Sequence, residues 1–401
     1  MDKVANRTEQ LDRRLGPTLL SLYGIGVMVG AGIYVLVGTV AENAGVLSPL
    51  AFLAAGAIAA PTALTYAELS VRIPESAGEA AYVRAAFRSS VLSTGTGLAI
   101  VVVGDTSAAA VLRGGVGYLT DLVDTSPVGL TVVLAVALTA LAAWGVVESL
   151  SAAAAFTIVE ILGLLLVVRA GLLAPPSADW TAGVPGEVAV GGFGMAMVLA
   201  FFAFVGFEDL VNMAEEVKRP SRTLPIAILT SLVVASLLYG VVSIAAVRSV
   251  EISALAGSDR PLALVYEQAG GNGSLLAAIA GVAALNGVLA QMVMAARVLF
   301  GLGRRERWLA GFHRTHERFG TPAVATVVVG AVVMVGAATV DVAALAELTS
   351  TFLLAVFCGM NITLIVIKRR GDAPGGFTVP SWVPWIGLGG SAAALSVALW
   401  P

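Results

Sequence analysis

Three carboxylates lie inside long apolar stretches of the sequence, far from any obvious counter-charge. Glu160 interrupts an apolar run between residues 156 and 164, and Glu208 and Asp209 end a phenylalanine-rich run. An ionised carboxylate in a hydrocarbon core costs at least ~2.5 kcal/mol unless a partner receives it. We therefore expect Glu160 to exchange a proton or to form a structural ion pair, for which Arg297 is the candidate partner.

The adjacent carboxylates Glu208 and Asp209 cannot both serve one small site. Neighbouring side chains on a helix point ~100° apart. We expect Glu208 to face a site within the protein and Asp209 to turn to another partner or to an inner vestibule; the alternative is that water solvates both. Asn212 is expected on a solvated inner surface, and Glu68 is expected to pair with a basic loop residue.

Glycines mark where two apolar segments can be interrupted. Four glycines fall between Gly24 and Gly32, and Gly206 lies within the phenylalanine-rich run. Glycine is the poorest helix former after proline, so we expect both helices to break near the membrane midplane; close packing through Gly26 and Gly30 is the alternative for the first. Two interrupted helices in corresponding positions are typical of transporters built from inverted repeats.

Membrane-spanning helices must position these residues. The chain has 401 residues, of which 58% are hydrophobic and only 12% are charged, and its mean hydropathy is +0.92. A soluble domain carries about 25% charged residues, so lipid is the main solvent of this chain. Because unpaired backbone amides are too costly in hydrocarbon, we predict an all-α, polytopic membrane fold in a single transmembrane domain over residues 1–401.

Apolar runs of about 20 residues predict eleven transmembrane helices. They lie near 18–38, 47–69, 92–112, 128–146, 152–173, 192–213, 224–247, 274–300, 322–340, 345–367 and 382–400. Counting Lys and Arg in alternate connections places 19 of the 23 on the side of the N-terminus and only Arg113, Arg169, Arg248 and Arg260 on the other. Cytoplasmic loops retain the excess of basic residues, so we expect the N-terminus in the cytoplasm.

The motifs of common enzymes and nucleotide-driven pumps are absent from the sequence. It contains no G-x-S-x-G, H-E-x-x-H or G-x-x-x-x-G-K-[ST] pattern. His313 and His316 have no third ligand nearby in sequence, so a metal site is not expected. The scattered basic residues form no face for nucleic acid. A carrier is therefore expected rather than an enzyme; a channel is the alternative, although it would require a pore-lining polar series.

Several motifs together resemble the amino acid-polyamine-organocation permease superfamily. Residues 24–34 look like the family's G-x-G-x-x-x-G-A-G-I-[FY] signature, and residues 65–82 resemble the segment that leaves helix 2. Residues 214–225 are similar to the family's A-E-E-x-K-N-P-x-R-x-x-P block, although Arg219 replaces the asparagine. The resemblance covers residues 16 to about 370.

The resemblance implies a five-plus-five inverted repeat with broken helices 1 and 6. Repeat one would span about 16–173 and repeat two about 192–367, followed by an extra helix at about 382–400; most members of the family have twelve spans. It further implies a secondary active transporter in the cytoplasmic membrane that works by alternating access, with an amino acid or amine as substrate and no cofactor.

The resemblance also implies how a zwitterionic amino acid binds between the broken helices. Free amides at a half-helix terminus suit the carboxylate, and free carbonyls suit the ammonium group. The implied amides are those of Gly30, Ala31 and Gly32, and the implied carbonyls lie near Met28, Phe202, Ala203 and Val205. Phe202 matches an aromatic residue that covers the substrate, and Glu208 matches an acidic residue implicated in gating.

Proton coupling is our hypothesis for the driving force. By the resemblance, Glu160 stands on helix 5 where some proton-coupled members carry a lysine in place of sodium. Helix 8 has no serine or threonine after Ser274, so a sodium site of the family pattern lacks hydroxyl ligands. Sodium symport and exchange of amino acids or polyamines are the alternatives. The apolar rim of the site slightly favours neutral amino acids, whereas its acidic residues suit cationic ones.

Overall fold

The computed structural model of the protein describes residues 15–75, 78–120, 122–123, 125–144, 150–182, 190–316, 320–371 and 376–400. Within these ranges the chain forms helices joined by turns and short 3-10 segments, with an isolated bridge between Leu15 and Val217. The all-helical class predicted from the composition is therefore confirmed.

The helices of the first half begin with an interrupted pair. They are α1 (Pro17–Ala31), α2 (Ile33–Ala44), α3 (Ser48–Arg72), α4 (Gly78–Phe87), α5 (Ser90–Leu119), α6 (Pro127–Trp144), α7 (Leu150–Leu173) and the short α8 (Ala178–Ala182). A 3-10 turn at Gly45–Leu47 joins α2 to α3.

The second half also begins with an interrupted helix, α9 (Val190–Phe202), which a turn separates from a 3-10 segment at Glu208–Glu216. The helices that follow are α10 (Pro220–Ser249), α11 (Ile252–Ala256), α12 (Pro261–Gln268), α13 (Gly273–Arg305), α14 (Ala323–Thr339), α15 (Val342–Arg369) and α16 (Val383–Leu399). A second 3-10 segment, Arg307–Phe312, follows α13.

Several helices begin where the sequence supplies a start signal. Prolines stand in the first turn of α1, α3, α10, α12 and α16, where the missing amide hydrogen costs no helical bond. At α13 the Asn272 side-chain oxygen accepts a hydrogen bond from the Ser274 amide (3.0 Å). At α15 the Asp341 carboxylate accepts one from the Ala344 amide (2.9 Å). Such caps satisfy amides that have no partner within the helix.

Seven helical segments of the described chain are long and apolar enough to cross a membrane. They are Ile33–Arg72, Ser90–Leu119, Pro127–Trp144, Ala154–Leu173, Pro220–Ser249, Gly273–Arg305 and Val342–Arg369. Shorter apolar helices cover Pro17–Gly30, Gly192–Phe202, Ala323–Thr339 and Val383–Leu399. Helices thus coincide with every predicted span, and the chain is a multi-pass membrane protein; the total of eleven crossings and the repeat symmetry stay predictions.

Two long helix pairs organise the bundle: α13 packs along α5, and α10 packs along α3. An aromatic group lies where α3, α9 and α15 meet. Its rings approach one another at centroid distances of 5.3 to 5.9 Å and belong to Tyr66, Phe201, Phe207 and Phe357. Peripheral helices expose apolar side chains instead; Val133 on α6 is 63% exposed, as a lipid-facing surface allows.

Glu68 ties together the ends of two helices. Its carboxylate is fully buried at the end of α3 and forms ion pairs with Arg72 (2.6 Å) and with Lys368 of α15 (2.8 Å). The Val379 amide donates to its second oxygen (2.7 Å). The predicted pairing of Glu68 with a basic residue is therefore confirmed, but Arg72 and Lys368 both lie at helix ends and not in a loop as expected.

The start of the described chain lies on the same side of the bundle. The Leu15 amide donates to the Glu216 carbonyl (3.1 Å), and the Leu15 carbonyl accepts from the Lys218 amide (2.8 Å). These contacts join Leu15 to the end of the 3-10 segment, just before α10 begins. We call this side of the molecule, which holds Leu15, Arg72, Lys218 and Lys368, the basic end.

Candidate functional site

The first interrupted helix breaks at Gly32. The half-helix α1 ends at Ala31 and α2 begins at Ile33. Between them, the Gly32 carbonyl accepts from the Val35 amide (3.2 Å) and the Leu36 amide (2.9 Å), so the chain restarts its helical bonding at this point. The break lies within the glycine-rich stretch that predicted it; the side chain of Ala31 is outside the described part of the structure.

The second interruption extends over residues 203–207. The amides of Ala203, Phe204 and Val205 donate to carbonyls three residues earlier, at 3.0 to 3.1 Å, so the helix tightens and stops. Gly206 then adopts φ +125°, a conformation that L-residues with a side chain rarely reach. Its amide donates to the Glu208 carboxylate (3.0 Å).

The two breaks lie directly against each other. A Cβ atom added to Gly32 would overlap the backbone and side chain of Ala203. A Cβ atom added to Gly206 would lie 2.7 Å from a methyl group of Val27. Met28, on the same turn of α1, is fully buried. The structure therefore brings together the segments that the sequence assigned to substrate binding.

The carbonyl groups at the second break already take part in hydrogen bonds. The Ala203 carbonyl accepts from the Tyr239 hydroxyl (2.8 Å), and the Phe202 carbonyl accepts from the Val205 amide (3.1 Å). A carbonyl oxygen has two lone pairs, so each retains one acceptor position. Phe202 and Val205 are both fully buried. Their role in substrate binding stays a prediction.

Glu160 lies beside the first break. Its side chain is 1% exposed, and a Cβ atom added to Gly30 would lie 3.6 Å from its Oε1. This oxygen accepts a hydrogen bond from the Asn286 side chain (3.3 Å), and Oε2 has no partner among the described residues. The alternative of an ion pair with Arg297 is wrong, because the Arg297 side chain is exposed and pairs with no described carboxylate.

A chain of hydrogen bonds holds the backbone around Glu160. The Tyr34 hydroxyl donates to the Glu160 carbonyl (2.9 Å), linking α2 to α7. The Tyr118 hydroxyl donates to the Tyr34 carbonyl (2.7 Å) and accepts from the Leu262 amide (3.3 Å). Buried and satisfied polar groups of this kind fix the arrangement of the helices that carry them.

Glu208 and Asp209 are both removed from water. Their side chains are 2% and 4% exposed, so the alternative in which water solvates both is wrong. Asp209 accepts a hydrogen bond from Gln291 (2.8 Å), which confirms that it turns to a partner. Asn212 is a second correction: both atoms of its amide group are buried rather than solvated, because α4 packs over them.

The hydrogen-bond partners of these carboxylates were not predicted from the sequence. Amides within membrane helices commonly join one helix to another, but Asn286 and Gln291 each donate to a candidate acidic residue. Both stand on α13, five residues apart, and their acceptors are 126 and 82 residues away along the chain. The sequence did contain one indication of this pairing. Asn286 and Gln291 are two amide side chains within an otherwise apolar helix, and such amides need hydrogen-bond partners inside the protein.

The sequence as a whole matches a known family. A family model described as amino acid permease matches residues 18–401, which is nearly the complete chain.

Individual proteins are similar over most of their length. The branched-chain amino acid permease BcaP of Bacillus subtilis is 30% identical over 398 residues, which cover 93% of this chain and 84% of that protein. The mitochondrial cationic amino acid transporter 3 of Arabidopsis thaliana is 30% identical over 394 residues, covering 90% of this chain but only 63% of the plant protein. An uncharacterized transporter of Mycobacterium tuberculosis is 31% identical over 376 residues, covering 91% and 83%.

Proposed function

This chain belongs to the amino acid permease family, and from this premise we propose that it carries an amino acid across the cell membrane by alternating access. The observation that carries the proposal is the contact between two interrupted helices at Gly32 and Ala203. Backbone groups exposed at such breaks suit both ends of a zwitterion. The substrate carboxylate would bind the amides of residues 30–32, of which Gly30 and Ala31 would have to leave the last turn of α1. Its ammonium group would bind carbonyls of Met28, Phe202, Ala203 and Val205.

Counterflow tests carrier action. Protein reconstituted into liposomes preloaded with unlabelled amino acid should accelerate the uptake of the same labelled amino acid transiently, because a loaded carrier returns with cargo. A pore gives no such overshoot, so uptake that follows simple equilibration contradicts the proposal. Leucine, isoleucine, lysine and arginine form the first panel, since the names of the related proteins include both branched-chain and cationic amino acids.

We assign proton coupling to Glu160. Its carboxylate is buried beside the first break, has an amide donor on one oxygen and has no cationic partner within the described chain. A carboxyl group in this position can hold a proton while the substrate is bound and release it when the site opens to the other side.

The Glu160→Gln variant tests the coupling. Uptake by the wild type should increase when the outer solution is more acidic than the lumen, whereas uptake by Glu160→Gln should be the same with and without the gradient. Glu42→Gln is the matched control, because Glu42 is an exposed glutamate on α2. A gradient response that survives in Glu160→Gln would remove Glu160 from the coupling mechanism.

A neutral aliphatic amino acid is our first candidate substrate, because apolar side chains surround the breaks. A cationic side chain is the second candidate, because one oxygen of Glu160 has no partner among the described residues. The same variant separates them: loss of lysine and arginine binding with retained leucine binding indicates that Glu160 holds a cationic side chain. Thermal shifts of the purified protein with each amino acid measure the binding.

A further inference from the structure

Three buried carboxylates lie on two elements that pack together on the basic-end side of the substrate site, where Gly78 at the start of α4 lies against Asn212 of the 3-10 segment. Glu79 on α4 is 2% exposed, and its charge interacts with those of Glu208 and Asp209. The first comes from α4 and the other two from the 3-10 segment that follows the second break. Glu208 and Asp209 turn to different hydrogen-bond partners, as expected of adjacent residues, but the charge of Glu79 acts on both. We call Glu79, Glu208 and Asp209 the acidic cluster.

Each member of the acidic cluster has an oxygen without a hydrogen bond. Glu79 Oε1, Glu208 Oε1 and Asp209 Oδ1 are buried and have no partner among the described residues. The second oxygens of Glu208 and Asp209 accept from the Gly206 amide (3.0 Å) and the Gln291 side chain (2.8 Å). Buried acceptors without donors are costly, and a proton on the carboxyl converts one of them into a donor.

Uncharged polar groups point into the same region. Tyr82 is fully buried, interacts with Glu79 and has no partner for its hydroxyl among the described residues. Tyr66, also fully buried, lies beside Glu79 from α3. Neither amide atom of Asn212 has a partner in the described chain, and a Cβ atom added to Gly78 would overlap the Asn212 side chain. These groups can donate to or accept from a carboxyl in either protonation state.

The charged groups around the acidic cluster do not neutralise it. Glu75 adds a further negative charge on the side of α4. Arg297 and Glu216 lie on the side of Asp209, where all three act on Tyr23. Arg297 is exposed, and none of the described Lys, Arg or His residues forms an ion pair with the acidic cluster. Three neighbouring carboxylates in this environment cannot all remain ionised.

We propose that the acidic cluster is a proton-binding site, separate from Glu160, that is occupied when the basic end is closed and empties when the basic end opens. A proton needs no space of its own, and the described residues contain no group of His, Cys, Asp and Glu placed to hold a metal ion. This proposal depends on the proposed function in one respect only, which is that the basic end must open.

The second break supplies the movement. The 3-10 segment follows the turn at 203–207, where Gly206 has φ +125°. A swing at this turn separates Glu208 and Asp209 from Glu79 and admits water, so that the carboxyl groups lose their protons. Once ionised, the three side chains repel one another and oppose closure.

The expected pH window follows from Glu79, which lies outside the membrane-spanning segments. Burial raises the pKa of Glu79 from 4.5 to about 7 in the closed bundle. Below about pH 4.5 the carboxyl is protonated in both forms, and above about pH 7 it is ionised in both. Between these limits, each unit of rising pH shifts the ratio of closed to open protein by up to about tenfold toward the open form.

Cysteine labelling tests the site without substrate or a gradient. Cys358 is the only cysteine, so Cys358→Ala provides a background into which Ala214→Cys is introduced as a reporter; Ala214 is 1% exposed on the 3-10 segment. Its rate of modification by a maleimide is divided by that of Gly311→Cys, an exposed position at the basic end. The ratio should rise from pH 4.5 to pH 7, and with Glu79→Gln the rise should be clearly smaller, because one of the three titrating carboxyl groups is gone.

Matched variants make the outcome specific. Glu75→Gln removes a charge from a side chain that is 59% exposed in the same connection and should leave the profile unchanged. Asp209→Asn should also lessen the slope of the profile, because it removes another titrating carboxyl group, which keeps the test available if Glu79→Gln fails to fold. A flat wild-type profile, or a wild-type profile in both cluster variants, overturns the proposal. Failed counterflow with an intact profile overturns only the transport function.

Discussion

The contact between Gly32 and Ala203 is possible only because residue 32 is a glycine and has no side chain. Gly32→Ala places a methyl group where Ala203 already lies, so we expect a loss of about 1–3 kcal/mol of stability and loss of counterflow. Gly95→Ala is the control, because Gly95 is exposed on α5 with open space around its Cα and should gain up to about 1 kcal/mol. Thermal unfolding and counterflow measure both variants; equal transport by the two contradicts the expectation.

Single residues also show what the sequence could and could not predict about the site. Glu160 and Glu208 stand out because a charge in an apolar run is visible in the sequence alone. Asn286 and Gln291 do not, because their pairing depends on how α13 lies against α7 and the 3-10 segment, which no local pattern encodes. The alternative of an ion pair between Glu160 and Arg297 is wrong for a similar reason, because it too depends on how α13 lies against α7.

The start of α10 depends on an unusual backbone conformation. Arg219, the residue before the helix, has φ +50°, in the left-handed region that costs a residue with a long side chain roughly 1–2 kcal/mol. Asparagine, which the resembling permease block carries at this position, tolerates this region better. We therefore expect Arg219→Asn to raise the unfolding free energy by about 1 kcal/mol.

Arg222→Asn is the control for this element. Arg222 is exposed in the first turn of the same helix, so its replacement removes the same charge without relieving a left-handed residue. The midpoint of thermal unfolding should rise only for Arg219→Asn. Equal midpoints for the two variants would mean that the conformation of Arg219 carries no cost.

The helices could be predicted from the sequence wherever hydropathy alone determines their position. Runs of about 20 apolar residues indicated the helices, and clustered glycines indicated the first break. The length of α5, which extends to Leu119, exceeds the predicted span. The helix α4 was not predicted, because it is short and of mixed polarity, and Glu79 therefore escaped notice. The 3-10 segment after Gly206 packs against α10, α3 and α1, and such long-range packing cannot be read from the local composition.

At the scale of the whole molecule, Glu68 connects the two predicted repeats. It joins α3 to Lys368 on α15 and to the chain that leads into α16. Glu68→Gln leaves Arg72 and Lys368 without their buried counter-charge, so we expect a loss of about 3–5 kcal/mol. Glu267→Gln is the control, since its ion pair with Arg260 (3.2 Å) is about one third exposed and should cost less than about 1 kcal/mol. Similar unfolding midpoints for both variants would show that Glu68 does not hold the halves together.

The bridge between Leu15 and Val217 has a practical consequence. It joins the beginning of the described chain to the end of the 3-10 segment that follows the second break, at the basic end. A fluorophore attached at position 15 itself would move together with the segment around Val217. With a second dye on a loop that does not move with the 3-10 segment, each movement of this segment would change the efficiency of energy transfer between the dyes. Neither label would have to be placed inside the bilayer.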